Sequence, residues 1–424
     1  MKKYWILLAA ALLLACNPAE KRNVVIDTPL EPPVKLQTVP AATRDNYQIY
    51  QVNTKLYGNS GRLKAIQARL DDIKALGTDI VYLMPIYTEG TKKAFGSPYA
   101  VKDYKAVNSA CGSLSDLKDL VKAAHSKGMK VMLDWVPNHT AWDNAWISEH
   151  PDWYKKDGNG NIIAPNGWSD VAQLDYSSEG LQNAMLDAMK YWIAEADIDG
   201  YRCDYANGVA DAFWQKAIPE LKAAKSGFLM LAEADLDRMF TNGFDIIYDW
   251  DMQEEARKLI NGGNPADFVT FYSNEQGKTP AGKTRLYFVT NHDKASENSP
   301  LDLFRGKDGT FATYALLAAL NASPMIYGSQ EAAYPQPINF FTVTSVDWKA
   351  DPDLTARYKN VLSELQGLNR DSACTFYASD RILYIVYEGS ATIGVNLSNS
   401  GTTALLPDGK TEYKFGAYEV KIWK

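Results

Sequence analysis

Eight short apolar runs, most of them followed by a helical stretch, constrain the fold of this chain more than any other feature. They span Tyr47 to Val52, Asp79 to Met84, Lys130 to Val136, Ile198 to Asp204, Phe228 to Glu233, Phe244 to Tyr248, Arg285 to Asn291 and Ser323 to Tyr327. Rich in β-branched and aromatic residues, such runs read as buried strands. Between them, Arg62 to Leu76, Leu114 to Lys127, Gly180 to Ala196, Val209 to Ala223 and Phe311 to Leu320 carry three-four apolar spacing, with Gly77 and Gly128 where helix C-caps are expected. Strict alternation of this kind argues an α/β architecture with a parallel sheet. Eight such units in roughly 250 residues repeat about every 31 and close into a (β/α)8 TIM barrel.

Three acids follow the same rhythm. Asp204, Glu233 and Asp293 each close one of the apolar runs or stand just beyond it, and 29 and 60 residues separate them in turn, about one and two repeats. The carboxyl ends of barrel strands open onto one face, so acids distant in sequence converge on one pocket there, and convergent carboxylates suggest sugar chemistry. One interval breaks the rhythm: Asp134 and Asp204 stand 70 residues apart, about forty more than one repeat. An insertion after the third strand, over residues 140–175, accounts for the excess and carries Trp142, Trp146, Trp153 and Trp168. The catalytic barrel is assigned to residues 44–371. Beyond it, short alternating runs bounded by Gly, Asn, Ser and Pro-Asp-Gly read as a C-terminal antiparallel β-sandwich domain over residues 372–424.

The N-terminus reads differently. Lys2 and Lys3 precede an apolar stretch from Tyr4 to Ala15, too short for a spanning helix of about 20 residues and typical of an export signal over residues 1–15. The stretch ends Leu13-Leu14-Ala15-Cys16, which resembles a lipobox; Cys16 would carry the lipid and attach the protein to a membrane, and Asn17 resembles the outer-membrane sorting pattern. Residues 16–43, with Pro18, Pro29, Pro32, Pro33 and Pro40, read as a lipidated cysteine and an extended tether. Cys111, Cys203 and Cys374 remain, an odd number that excludes a disulfide-built scaffold. Cys203 points away from Asp204 along its strand and reads as a packing residue. A net charge of −7 without a basic run argues against nucleic acid as a partner.

Four short blocks carry a family resemblance. Asp134-Trp-Val-Pro-Asn138-His139, Gly200-Tyr-Arg202-Cys-Asp204, Glu233 and Phe288-Val-Thr-Asn291-His292-Asp293 resemble, in order, the four signatures of the α-amylase family of glycoside hydrolases. The resemblance implies a retaining glycosidase acting on α-1,4 bonds of starch-like glucans or maltooligosaccharides, with Asp204 as nucleophile, Glu233 as general acid/base and Asp293 as the acid that grips sugar hydroxyls. It further implies that His139 and His292 hydrogen-bond the sugar and that Tyr99 stacks beneath it. Arg202, two residues before Asp204 and on the same strand face, is expected to hold the nucleophile ionised and so to separate the roles of the two acids. Asp134 is expected to support the site through hydrogen bonds.

The second signature departs from the family: Tyr205-Ala206-Asn207-Gly208 follows Asp204 where many relatives have Lys-His three and four positions on. That departure puts leaving-group preference and calcium in question. Asn138 occupies a common calcium-ligand position, with Asp143, Asn144 and Asp170 as further oxygen donors, so a structural Ca2+ is the one cofactor left open; the chemistry needs none. A monomer is expected. Two alternatives stay open: transglycosylation on the same site, where a sugar hydroxyl replaces water, and a non-catalytic glycan-binding lipoprotein that kept the barrel.

Overall fold

The computed structural model describes residues 30–424; the export signal, Cys16 and the first part of the tether lie outside the described residues. Eight parallel strands close a barrel: β1 (Ile49–Val52), β2 (Ile80–Leu83), β3 (Lys130–Trp135), β4 (Gly200–Cys203), β5 (Leu229–Ala232), β6 (Ile246–Tyr248), β7 (Thr284–Tyr287) and β8 (Ser323–Tyr327), the last pairing back to β1. Seven fall within an apolar run of the sequence, and β7 begins one residue ahead of its run, at Thr284. Period two along each strand sends alternate side chains inward. Ile49, Ile80, Tyr82, Met132, Leu229, Leu231, Ile246, Tyr248, Leu286, Phe288 and Met325 thus fill the barrel as one buried cluster, a packed core of side-chain layers rather than a pore. The outward set, Val81, Val131, Leu133, Tyr201, Met230 and Ile247 among them, joins the helices in a second, larger cluster. Cys203 belongs to that outward set, and its packing role holds.

Inward packing is tightest where β4 begins. Gly200 lies opposite Leu229 of β5 and Met132 of β3, and a Cβ at this position would stand 2.5 Å from the Leu229 carbonyl oxygen and 3.1 Å from Met132 Cε. Only a residue without a side chain lets the strands approach here.

The helices largely follow the periodicity. Leu114–Ser126 opens on a capping box between Ser113 and Asp116, and Glu179–Ala196 on a Ser178 cap. Gly77 and Gly128 both take left-handed backbone, as C-caps do. The expected single helix from Arg62 to Leu76 is instead two, Arg62–Gln67 and Leu70–Lys74. The break comes at Arg69, whose backbone leaves the helical region and whose guanidinium lies 3.6 Å over the Trp348 ring.

Excursions cover the carboxyl face of the barrel. The insertion pairs His139–Ala141 with Val171–Gln173, and a second two-stranded ribbon, Tyr87–Glu89 with Val101–Val107, follows β2. The C-terminal region is a five-stranded antiparallel sheet with the separate hairpin Thr402–Leu405/Glu412–Phe415. Ile382, Tyr384, Ala404 and Phe415 form a small core between sheet and hairpin, while Phe376, Leu383, Ile385, Ile393 and Val395 join the helix-facing core of the barrel. The sandwich expected for residues 372–424 is therefore lopsided: four of their strands and Val34–Val39 form the sheet, against the two of the hairpin.

The tether expected over residues 16–43 needs correction as well. Val34–Val39 is a strand of the C-terminal sheet, antiparallel to Cys374–Ser379. Pro32, Pro33 and Pro40 flank it at the sheet edge, where a missing N–H costs no ladder bond. We expect Gly200→Ala to lower the unfolding free energy by about 2 kcal/mol or more through overpacking, measured by urea titration; unchanged stability would show that β4 and β5 can part at no cost.

Candidate active site

The upper rim of the barrel carries polar residues at the same inward positions that lower down hold the core. Gln51 follows Ile49 on β1, Asp134 follows Met132 on β3, Arg202 follows Gly200 on β4 and Glu233 follows Leu231 of β5, each two residues on. Strand geometry alone therefore points them at a common centre. Registry completes the arrangement: Arg202 is paired with Asp134 on one side and Leu231 on the other.

Arg202 is fully buried and holds three carboxylates. Nη1 donates to Asp134 Oδ1 at 2.7 Å and to Asp204 Oδ1 at 3.1 Å, and Nη2 lies 2.7 Å from Glu233 Oε1. Three tyrosine rings, Tyr82, Tyr99 and Tyr248, surround the guanidinium at 5.7–6.0 Å and add cation–π attraction where water is excluded. The expected pairing of Arg202 with Asp204 is present, but it does not separate the two acids, because the arginine is shared with Glu233. It bridges both, because an acid occupies the inward rim on each neighbouring strand.

Asp134 is the structural centre of the network. Its Oδ2 accepts from Tyr82 at 2.6 Å and from Tyr99 at 2.9 Å. The Tyr99 hydroxyl in turn meets His292 Nε2 at 2.7 Å, and His292 Nδ1 faces the Gln51 amide at 2.9 Å. With Gln51 donating to Nδ1, the His292 proton sits on Nε2 and is donated to Tyr99, leaving the Tyr99 proton for Asp134. Asp134 thus supports the site through hydrogen bonds, as its sequence position suggests.

Charge crowding shifts these groups. Burial pushes Asp134 up to about 6, against the pull of Arg202 and the Tyr82 hydrogen bond. Burial also raises Glu233, opposed by Arg202 and by the Tyr205 N–H that donates to Glu233 Oε2 at 2.7 Å. Asp204 is raised by burial and then by repulsion from Glu233. Asp204 and Glu233 lie within reach of a shared proton, so the pair keeps one at a pH where an exposed carboxylate would have lost it. Burial lowers His139 to about 4 and holds His292 well below the ordinary imidazole range, so both imidazoles are neutral.

Asp204, Asp293, Tyr99, His139 and His292 all line one cavity of about 220 Å³ at the barrel mouth. Arg202 lies beneath it, and Glu233 stands beside Asp204 on the Tyr205 side. Asp293 is placed differently from the sequence expectation: β7 ends at Tyr287, and Asp293 sits in the first turn of the short helix His292–Glu297, with Asn291 Nδ2 donating to its Oδ2 at 3.0 Å. Tyr99 stacks on His292 with ring centroids 5.3 Å apart. The cavity wall also includes Ser97, Trp168, Phe340 and Phe341, and the network includes Gln51 and Tyr82. Gln51 and Tyr82 were readable as polar inward positions in apolar runs; Phe340 and Phe341 carry no such signal.

Two of the residues considered for calcium, Asp143 and Asn144, are engaged by protein partners. Asp143 accepts from Thr91 N and Oγ1 and lies 3.3 Å from Lys102 Nζ. The Asn144 amide is spent on Trp146 N and the Val101 carbonyl. Asp170 faces the cavity, and the Asn138 amide nitrogen meets His139 Nδ1 at 3.3 Å. Gly208 packs so closely that a Cβ there would stand 2.7 Å from Asn138 Oδ1. Among the described residues no group of three or more His, Cys, Asp or Glu side chains is arranged to hold a metal.

Comparison with known proteins gives this geometry a context. Residues 42–243 match the family model described as alpha amylase, catalytic domain. Alpha-amylase 2 of Dictyoglomus thermophilum is 29% identical over 295 residues, 65% of this chain and 50% of the relative. A cyclomaltodextrinase of Geobacillus thermopakistaniensis is 24% identical over 396 residues, 84% of this chain and 64% of the relative. The chain thus spans about half to two thirds of the length of these curated relatives. A maltogenic alpha-amylase structure from Thermotoga neapolitana superposes with a TM-score of 0.74 at 26% identity, covering 84% of this chain and 87% of that one. An alpha-amylase structure from Lactobacillus plantarum gives 0.73 at 27%, covering 89% and 99%.

Replacing Arg202 by Met should leave three crowded carboxylates without their cation. We expect a loss of about 3–5 kcal/mol in unfolding free energy at pH 7, read from denaturant titration; a variant of parental stability would contradict the central role of the guanidinium.

Proposed function

Taking residues 42–243 as an alpha-amylase catalytic domain, we propose that the chain is a retaining glycoside hydrolase cleaving α-1,4-glucosidic bonds of starch-like glucans or maltooligosaccharides. The observation that carries this reading is the meeting of Asp204 and Glu233 on the two arms of one buried guanidinium, at 3.1 and 2.7 Å. Two carboxyl groups held on one guanidinium are near neighbours, the arrangement that a retaining double displacement uses.

In the proposed reaction Asp204 attacks the anomeric carbon while Glu233 gives its proton to the departing glycosidic oxygen, leaving a glycosyl ester on Asp204. Water then attacks the same carbon, Glu233 takes its proton, and the ester bond breaks to release Asp204 as carboxylate. Asp293 and the neutral His139 and His292 line the cavity and would hold sugar hydroxyls, tightening as the ring flattens toward the oxocarbenium-like state. This two-acid chemistry draws on no metal.

The sign of the pH dependence follows from the shifts. Glu233 works protonated and is raised, so activity should persist above the ordinary carboxyl range and fall as pH rises through the raised value; Asp204 works ionised, so activity should also fall as pH drops. We expect a bell-shaped kcat/KM profile whose alkaline limb lies above 4.5, the ordinary value for Glu. Glu233→Gln should cut turnover of a maltooligosaccharide by about a hundredfold or more while binding, read by calorimetry, is kept. Undiminished turnover in that variant would remove Glu233 from the chemistry.

Export and lipid attachment at Cys16, with outer-membrane sorting, are part of the same proposal and rest on the leader pattern at residues 1–17. No helix among the described residues is long and apolar enough to cross a membrane. Cys16→Ser should move the protein from the membrane fraction to the soluble one and abolish palmitate labelling; labelling retained in the variant would refute the anchor.

A further inference from the structure

Lys55 lies outside the cavity yet touches two of its walls. It sits in a short 3-10 turn, Thr54–Tyr57, just beyond β1, where its own N–H is capped by the Asn53 side chain at 3.0 Å. Only 5% of the residue is exposed. Its ammonium donates to the Gly96 carbonyl at 2.6 Å, the Phe341 carbonyl at 3.2 Å and Glu89 Oε2 at 3.3 Å. An ammonium has three donors, and all three are used. Burial lowers the Lys55 ammonium from its ordinary range, and Glu89 opposes that shift.

The three acceptors belong to two loops that otherwise meet only at the rim. Glu89 and Gly96 belong to the excursion after β2, which continues into Ser97 and Tyr99. Phe341 belongs to the loop after β8, together with Phe340. Gly96 has left-handed backbone, and a Cβ there would stand 3.0 Å from the Phe341 carbonyl oxygen, so the loops come together backbone against backbone. Two carbonyl oxygens facing each other repel unless a cation lies between them. On the cavity side the same two loops meet edge to face, Phe340 against Tyr99 at 5.7 Å, and Phe340 also meets His292, beyond β7, at 5.0 Å.

We infer that Lys55 is a positioning residue, an internal cation that clasps the β2 and β8 loops and thereby sets the width of the cavity in which Tyr99, Phe340 and Phe341 would meet the substrate. This inference rests on the hydrolase reading for its kinetic consequence but not for its structural one. Lys55 reaches neither Asp204 nor Glu233, so removing its charge should loosen the walls and spare the chemistry.

The test uses Lys55→Met, which keeps the stem and removes the charge, in the full-length protein. Without substrate, hydrogen exchange over residues 90–98 and 339–344 should quicken about tenfold, with other barrel loops unchanged. With a maltooligosaccharide, KM should rise about tenfold while kcat stays within about twofold, the mark of lost binding common to ground and transition states, and the pH profile should keep its limbs. Parental exchange in both loops would overturn the clasp. A fall in kcat with KM unchanged would overturn the assignment of Lys55 to substrate fit. If Lys55→Met does not fold, Glu89→Ala removes only the counter-ion, and KM should then rise about threefold; a parental KM and parental loop exchange in Glu89→Ala would overturn the proposal. Because exchange is read without substrate, failure of the clasp is distinguishable from failure of the hydrolase reading, which would appear as an inactive parent protein.

Discussion

A guanidinium with no access to water organises the carboxyl face of this barrel. Taking Arg202 out of water is costly, and the cost is offset only because Asp134 and Glu233 arrive from the adjoining strands and Asp204 from its own. Remove one acid and the buried guanidinium loses part of what offsets its desolvation; remove the guanidinium and three carboxylates are left crowded without a cation. Strand order, inward parity and charge are therefore one constraint here: a one-residue slip of β4 against its neighbours would turn Arg202 outward into the helix-facing core. The tyrosine rings around it and the hydrogen-bond chain from Gln51 through His292 and Tyr99 to Asp134 extend the same constraint from β1 to the insertion side of the cavity.

The same arrangement shapes the acid pair. An arginine dedicated to the nucleophile would hold one acid ionised and leave the other alone. A shared arginine leaves the pair with a proton whose position depends on what else approaches. The Tyr205 N–H, directed at Glu233 Oε2 from a left-handed backbone rarely adopted by a bulky residue, adds one such influence. A sugar oxygen entering beside Glu233 would add another, so the two carboxyl groups acquire distinct duties through their surroundings rather than through a single ion pair.

Much of this was legible in the chain. Period-two burial fixes which residues of an apolar run face inward, and the rim acids Asp134, Asp204 and Glu233 and the base Arg202 all obey it. Gln51 and Tyr82 obey it too, and a polar residue in an apolar run is a readable signal even where no signature names it. Other features depended on partners far away in sequence. Thr38 meets Thr375, 337 residues on, and Lys55 meets Phe341, 286 residues on; no local pattern announces such pairings. Asp293 shows a third kind of limit, since an apolar run from Leu286 to Val289 does not reveal that the strand stops at Tyr287 and that a helix begins at His292.

The strand Val34–Val39 has a mechanical consequence. It lies as the outermost member of the C-terminal sheet, laced antiparallel to Cys374–Ser379, and the backbone leaves it toward β1 only after Val39. A pull arriving from the leader side is therefore borne first as shear along that ladder and passed into the sheet. Gln37 of the same strand also donates to Ser273 of the barrel helix Pro265–Lys278 at 2.7 Å, so the load is divided between the sheet and that helix rather than falling on the loops of the cavity.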